Sequence, residues 1–290
     1  RSFLEMSVLE QIEVLIVNDG STDNTEIIAR TYIEKYPTSY RILNKINGGH
    51  GSVINEGSLA AKGKFFKVID ADDWVITSNL PAFINRLKQC NADMILTPFH
   101  WVDLKSGKRK EQAVDIPIPS SVINMKEITE NWGGYEQCMV FHCITYRTDF
   151  YKTYFHILPE HIFYEDQEYS SIPACHAENI EYWDIYIYQY MIGNVDQSVS
   201  FSKQAERMKH LEIVSKNILS YYNCHKSKLS QGAREYLLLK AENIILMCYT
   251  VAGIYEQDRK KGKRELKTFN ASIARINIFL YRKLWRKYQF

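Results

Sequence analysis

The sequence predicts an α/β fold: an open, mostly parallel sheet flanked by helices, with a helical appendage behind it. Three observations carry the prediction. Short apolar runs alternate with stretches of helical period through the first seventy residues, the pattern of parallel strands joined by helices. The first and third of these runs end in aspartates, at the strand ends beyond which open sheets bind ligands. From about Lys203 onward the sequence is helical in period, which sets a boundary near Phe201, between a domain of residues 1–201 and a helical region of residues 202–290.

Taken in order, "RSFLEMSVLEQ" reads as an amphipathic helix entering directly into the first strand, a start that suggests further residues before Arg1. "IEVLIVNDG" is a nearly continuous apolar run stopped by Asn18, Asp19 and Gly20, which suits a strand buried on both faces. In "STDNTEIIARTYIEKY", Asp23 and Glu26 stand at capping-box spacing, and Ile27, Ile28, Tyr32 and Ile33 recur at helical spacing. "SYRIL" is a second strand, "NGGHGSVINEGSLAAKG" a glycine turn feeding a small-residue helix, and "KFFKVID" the third strand. Pro81 falls in the first turn of a helix over "SNLPAFINRLKQC", where its missing N–H is tolerated. "ADMILTPFHWVDLKSGKRKEQAVDI" reads as two strands joined at Ser106-Gly107, "FYEDQEYSSIPACHA" as a short helix and "NIEYWDIYIYQYMIG" as strand-like.

The bulk properties mostly exclude. A chain of 290 residues, 46% hydrophobic and 24% charged, is ordinary for a globular protein, and a net charge of +2 makes no case for nucleic acid. No apolar run reaches the roughly 18–20 residues of a membrane span, and no signal peptide opens the chain. The six cysteines contain no CxxC pair, so neither zinc nor a disulfide framework is expected; buried free thiols in the cytoplasm are.

"KFFKVIDADDW" gathers Asp70, Asp72 and Asp73 within four positions after an apolar run. A hard divalent cation, Mg²⁺ or Mn²⁺, shared with phosphate oxygens would relieve such crowded charge. For so short a motif, a helix cap or a solvated loop explains the acids as well. Gly48, Gly49 and Gly51 permit positive φ and close approach of backbone to a ligand, but their spacing matches neither of the common phosphate-binding glycine patterns. Lys45, Asn47 and His50 could reach such a ligand; a plain turn into the helix accounts for the same residues.

"EVLIVNDGSTDNT", then "NGGHGSVINEGSLAAKGKFFKVIDADDW", then "FYEDQEY" give the chain, from roughly Ile12 to Ser200, a resemblance to family 2 glycosyltransferases of the GT-A fold. The resemblance implies a Rossmann-like sheet and an inverting, metal-dependent transfer of a sugar from a nucleotide diphosphate to a hydroxyl acceptor, with UDP the expected nucleotide and a surface glycan or lipid-linked glycan the expected acceptor. It implies that Asp19 accepts a hydrogen bond from the base, that Asp70 lies near the ribose and that Asp72 ligates the metal on the diphosphate. Gly49, His50 and Lys45 complete the expected nucleotide pocket. Asp166 matches the general base, with Glu165 beside it. The family's first strand has no counterpart in the sequence, in keeping with a start upstream of Arg1. The chemistry agrees: a metal stabilises the leaving group by several kcal/mol, one base contributes about 10²–10⁴ in rate, and no covalent nucleophile is required.

On the acceptor side, Trp132, Tyr135 and Tyr164 are candidates to stack on a sugar; core packing explains aromatic residues in such segments too. His142, His156, His161 and His176 show no metal-ligand spacing and read as structural. Gln189 stands near a position where many relatives carry arginine, and His142, Arg147 and Lys203 are the available substitutes for that contact with the diphosphate. "RINIFLYRKLWRKYQF" places Ile276, Phe279, Leu280, Leu284 and Tyr288 at helical spacing among five basic residues, which suits either an anionic membrane surface or a packed helix with a solvated face. Two rival readings remain: a catalytically silent nucleotide-sugar-binding or membrane-proximal scaffold protein, and a nucleotidyltransferase.

Overall fold

A computed structural model describes residues 2–116, 122–193 and 201–288. The opening stretch is not the amphipathic helix expected: it is a set of turns and one 3₁₀ turn, Leu9–Gln11. Its apolar residues serve as a plug, with Val8 buried in a core cluster and Phe3 packed against it, while Thr77 Oγ1 donates to the Ser2 carbonyl at 2.7 Å.

β1 (Val14–Asp19) and β2 (Tyr40–Lys45) pair in parallel, Val14 opposite Tyr40 and Asp19 opposite Lys45. β1 is half-buried rather than buried on both faces, because among the described residues β2 is its one strand neighbour. The crossover is α1 (Thr25–Lys35). Its capping box does not form: Asp23 Oδ1 accepts from Thr25 N at 3.0 Å, and Glu26 is occupied by Arg30 and Asn44. α2 (His50–Ala60) follows β2, and then β3 (Phe65–Phe66), β4 (Trp74–Val75) and α3 (Leu80–Gln89). α3 buries Phe83 edge-on against the fully buried Trp183, ring centres 5.7 Å apart, a geometry worth about 0.5–1.5 kcal/mol beyond the area it covers.

β5 (Met94–Leu96) and β6 (Phe99–Asp103) are separated by Pro98, which has no N–H to give a ladder. β7 (Arg109–Gln112) folds back on β6 as the expected hairpin. α4 (Met125–Glu130), α5 (Trp132–Tyr135), β8 (Ile144–Arg147), α6 (Thr148–Thr153) and α7 (Asp166–Tyr169) come next. β9 (Ile180–Tyr182) and β10 (Tyr188–Ile192) divide the stretch expected as one strand. The helices α8 (Phe201–Glu206), α9 (Met208–His225), α10 (Gln231–Thr250), α11 (Arg259–Ile276) and α12 (Ile278–Tyr288) complete the chain.

Among the described residues the strands form three sheets, ordered β1-β2, β4-β10-β6-β7 and β3-β8-β5-β9. β1–β2, β10–β6 and β5–β9 are parallel and the remaining pairs antiparallel, so the pairing is mixed where the alternation had suggested mostly parallel. Two compact units result. The first comprises 1–124, 131–162 and 177–193; the second comprises 125–130, 163–176 and 194–290. A single cut at residue 201 therefore misses α4 and the "FYEDQEYSSIPACH" segment, whose partners are helical. In the second unit α10 is the core helix, packed on α9 and α4. Together with the π-helical turn that extends it, Gln231–Tyr255 is long and apolar enough to cross a membrane by length and composition, a run the sequence reading did not single out. Its buried Tyr236, Leu237, Ile244 and Ile245 make it a packed interior helix in this fold. All six cysteines are free thiols and five are buried.

Candidate functional site

In the first unit, parallel register brings Asp19 and Lys45 side by side at the ends of β1 and β2. Lys45 Nζ donates to Asp19 Oδ1 at 2.9 Å, to the Ile46 carbonyl at 2.7 Å and to Ser52 Oγ at 2.8 Å. An ammonium has three protons, so Lys45 has none left for the nucleotide it was expected to reach. The backbone N–H groups of Gly48 and Gly49 also donate to the Asp19 carboxylate, at 2.9 and 2.8 Å. Burial works against charge on Asp19, but Lys45 and these two N–H groups hold its carboxyl below the usual range. The glycine loop thus cradles the protein's own carboxylate. Gly49 is required there: its φ is +81°, and a Cβ would meet the His161 backbone nitrogen at 3.2 Å. Asp19 Oδ2 accepts one donor from this loop and keeps a second lone pair.

The turn after β3 holds the acids. His50, the first residue of α2, lies with Nε2 3.0 Å from Asp70 Oδ1. Asp73 is the inner carboxylate: Oδ2 accepts from the Tyr188 hydroxyl at 2.5 Å and Oδ1 from Met191 N at 2.7 Å. Burial pushes its carboxyl up to about 7 against those two hydrogen bonds, with Asp70 and Asp72 adding repulsion. Asp72, expected to hold the metal, is exposed on the turn.

The partner the acids do find is His142. Ligand atoms of Asp70, Asp73 and His142 all lie within 4.8 Å of one another. Both ring nitrogens of His142 are buried without a hydrogen-bond partner. The ring is held by aromatic contacts, with Phe99 stacked at 5.2 Å and Tyr188 and Tyr190 edge-on at 5.0 and 4.5 Å. Burial lowers its pKa to about 3, with Asp70 opposing the shift. The imidazole is therefore neutral at pH 7, with a lone pair available, the form that ligates metals. A buried polar ring left bare is costly unless something coordinates it. Two carboxylates and one such imidazole are a donor set that fits a divalent ion.

Sequence reasoning took His142 as structural. The link is in the pairing: β3 and β8 run antiparallel with Phe65 opposite Arg147 and Phe66 opposite Tyr146, so the segment that follows β3 and the turn that precedes β8 leave the pair at the same end. Lys67 was also missed. Its Nζ donates to the His142 carbonyl at 2.5 Å and to the Ile144 carbonyl at 3.2 Å, and burial lowers its pKa to about 7. Gln189 is 1% exposed and its amide lies 2.7 Å from His100 Nδ1, so it serves the β10–β6 pair. Of the proposed substitutes, Arg147 pairs with Asp93 at 2.5 Å and Lys203 lies in α8. The stretch that follows β10, residues 194–200, and the Tyr288 side chain lie outside the described residues.

Among the acceptor candidates, Tyr135 is 0% exposed and belongs to the core, which removes it from any sugar-stacking role. Trp132 is half-buried at the start of α5.

In the second unit, Asp166 opens α7 and Glu165 precedes it, 3% exposed. Asp166 Oδ2 accepts from Gln167 Nε2 at 3.0 Å, and Glu168, fully buried, accepts from Asn217 of α9 at 2.8 Å. Tyr236 of α10 donates to the Ser170 carbonyl at 2.6 Å. Tyr164 has φ +70°, a conformation rare for a bulky residue, and its hydroxyl is buried. Burial raises its pKa, opposed by nearby Arg207 and reinforced by Asp166.

The profile described as glycosyl transferase family 2 matches residues 6–155. A glycosyltransferase of Mycoplasma pneumoniae is 37% identical over 99 residues, 33% of this chain and 32% of its own length. Bacillus subtilis EpsJ is 24% identical over 219 residues, covering 74% of this chain and 62% of that protein. The chain thus spans about a third of the first of these relatives and under two thirds of the second. Among solved structures, S. aureus TarS in complex with UDP-GlcNAc superposes with a TM-score of 0.55 at 17% identity, over 91% of this chain and 82% of that one. That likeness shows the GT-A fold. With half of its length matched by the family profile, the chain is a member of glycosyl transferase family 2.

Proposed function

We propose that the chain is an inverting, metal-dependent glycosyltransferase that moves a sugar from a UDP-linked donor to a hydroxyl of a surface glycan. The observation that carries the metal dependence is the convergence of Asp70, Asp73 and the bare imidazole of His142. A mixed oxygen and nitrogen set favours Mn²⁺ over Mg²⁺, which demands oxygen ligands and keeps its waters. When bound, the ion supplies Lewis-acid stabilisation of the leaving diphosphate. Asp72, exposed on the same turn, would add a further carboxylate to the residues that hold the ion. Asp70 and His50 bind near the ribose, and Asp19 uses the free lone pair of Oδ2 for a base N–H. Asp166, with Glu165 beside it, takes the acceptor's proton, while Trp132 and Tyr164 stack on the acceptor.

UDP is supported by the TarS complex, and a polysaccharide product by the 31% identity over 101 residues to the minor teichoic acid biosynthesis protein GgaB of Bacillus subtilis, of which this chain matches 11%. A cytoplasmic, membrane-peripheral setting with a lipid-linked acceptor is supported by the C-terminal helices. Residues 259–287 carry eleven Lys or Arg against one Glu, and Phe279 and Trp285 are 80% and 54% exposed among them. Vesicles of phosphatidylglycerol should retain the protein at low salt, and Arg282→Glu with Arg286→Glu should release it. The decisive test is a panel of nucleotide sugars scored for hydrolysis with and without Mn²⁺. Consumption of a UDP-sugar only with the metal supports the proposal. A UDP-sugar that binds but is never consumed, with any acceptor, makes the chain a silent binder.

A further inference from the structure

The "YEDQEY" segment carries an arrangement that its motif does not announce. Lys240, in the middle of α10, is 4% exposed, and its ammonium donates to Gln167 Oε1 at 3.0 Å and to Ser170 Oγ at 3.2 Å. Gln167 in turn donates from Nε2 to Asp166 Oδ2 at 3.0 Å. The chemistry fixes the direction of this chain of bonds. An ammonium only donates, so the amide must present its oxygen to Lys240, and its nitrogen then has to face Asp166. A glutamine free to rotate would offer a carboxylate its oxygen half the time, which repels; this one cannot.

We infer that Lys240 is a positioning residue for Asp166, acting through Gln167: it locks the amide so that one oxygen of the Asp166 carboxylate is always held by a donor. Two effects follow. The carboxylate form is favoured by a polarised hydrogen bond whose far end is a buried cation. The other oxygen, Oδ1, is also set in one orientation, because the plane of the carboxyl group is pinned through Oδ2. The neighbouring bonds from α10 and α9, Tyr236 to the Ser170 carbonyl and Asn217 to Glu168, hold the rest of the segment, so α10 addresses the motif at two positions one helical turn apart. The importance of this arrangement rests on the reading of Asp166 as the base. The arrangement itself can be tested without that reading.

The test is the titration of the Asp166 carboxyl carbon by NMR in protein with ¹³C-labelled aspartate, its signal assigned by Asp166→Asn. Lys240→Met keeps the length and apolar stem of the side chain and removes the ammonium; Gln167→Met removes the amide and leaves Lys240 in place. Each variant should raise the carboxyl midpoint by about half a pH unit to one unit. The double variant should raise it no further than either single, since both cut the same connection. Lys240→Arg, which keeps the donor and the charge, should restore most of the wild-type value. If Gln167→Met folds and the midpoint is unchanged, the inference is wrong, whatever becomes of Lys240→Met. An active donor-consuming protein should show the acid limb of its pH–rate profile moving with the NMR midpoint. A midpoint that shifts while that limb stays fixed leaves the lysine's role in place and removes Asp166 as the base.

Discussion

Two acidic clusters among the described residues settle their repulsion in opposite ways. In the turn after β3, Asp73 is half-buried against Tyr188 and Met191 and its pKa rises to about 7, while Asp70, besides His50, stands near His142, whose ring nitrogens have no hydrogen bond. That cluster is left incomplete by the protein and fits a cation. In the "YEDQEY" segment, Asp166 and Glu168 are each met by an amide, and Lys240 stands behind one of those amides. That cluster is completed by the protein itself. A site that must accept an ion leaves lone pairs bare, whereas one that must hold a carboxylate in a fixed pose surrounds it with donors.

The comparison can be broken in several ways, the largest effect first. Asp166→Asn keeps the shape and the partner of the second cluster but removes its capacity to take a proton. Sugar transfer should fall by about 10²–10⁴, with UDP affinity unchanged. Loss of UDP binding in that variant would mean that the residue serves the fold or the donor instead of the acceptor.

The buried tyrosines separate the clusters next. Tyr188→Phe strips a donor from a half-buried carboxylate and should cost about 1–3 kcal/mol in denaturant unfolding. Tyr236→Phe strips a donor from a neutral carbonyl and should cost about 0.5–1.5 kcal/mol. Equal costs would argue that Asp73 is protonated, with no charge for Tyr188 to satisfy.

The smallest effect is acid sensitivity in the second unit. Burial, with His225 nearby, lowers the pKa of His176 from its ordinary value to about 4, and His176 Nε2 lies 2.6 Å from the Tyr221 hydroxyl. The unfolded chain then binds a proton that the folded chain does not, between about pH 6.5 and 4. The contribution to stability is present above that window and lost as pH falls through it. Thermal unfolding of His176→Gln followed across the same window should show a flatter pH dependence than wild type.

Much of this was legible in the sequence where chemistry is local. The strand end marked by Asp19, the hairpin at Ser106-Gly107 and the long C-terminal helices depend on neighbours within a few residues, and they fold as read; the third strand, expected to run to Asp70, stops at Phe66, and "DADD" falls in the turn beyond it. What failed depended on distant partners. Lys45 has the spacing of a ligand-binding residue, yet it is consumed by Asp19 across the β1–β2 pair. Tyr135 sits in an aromatic run whose exposure no local pattern reveals. His142 has no spacing signal because its relation to Asp70 follows from the β3–β8 pairing, which appears only in the fold. Asp72 and Asp73 are adjacent in sequence, and the turn decides that Asp72 is exposed while Asp73 is half-buried. The opening stretch had the apolar spacing of a helix, but Val8 and Phe3 find better burial as a plug against the core.

The central claim is that the incomplete cluster is a divalent-metal site serving the nucleotide. Calorimetric titration of UDP into the wild type and into His142→Ala, each with and without Mn²⁺, tests it most directly. The account predicts that Mn²⁺ tightens UDP binding to the wild type by tenfold or more and leaves the variant's affinity, measured on folded protein, about where it is without the metal. An equal enhancement by Mn²⁺ in both proteins would contradict it.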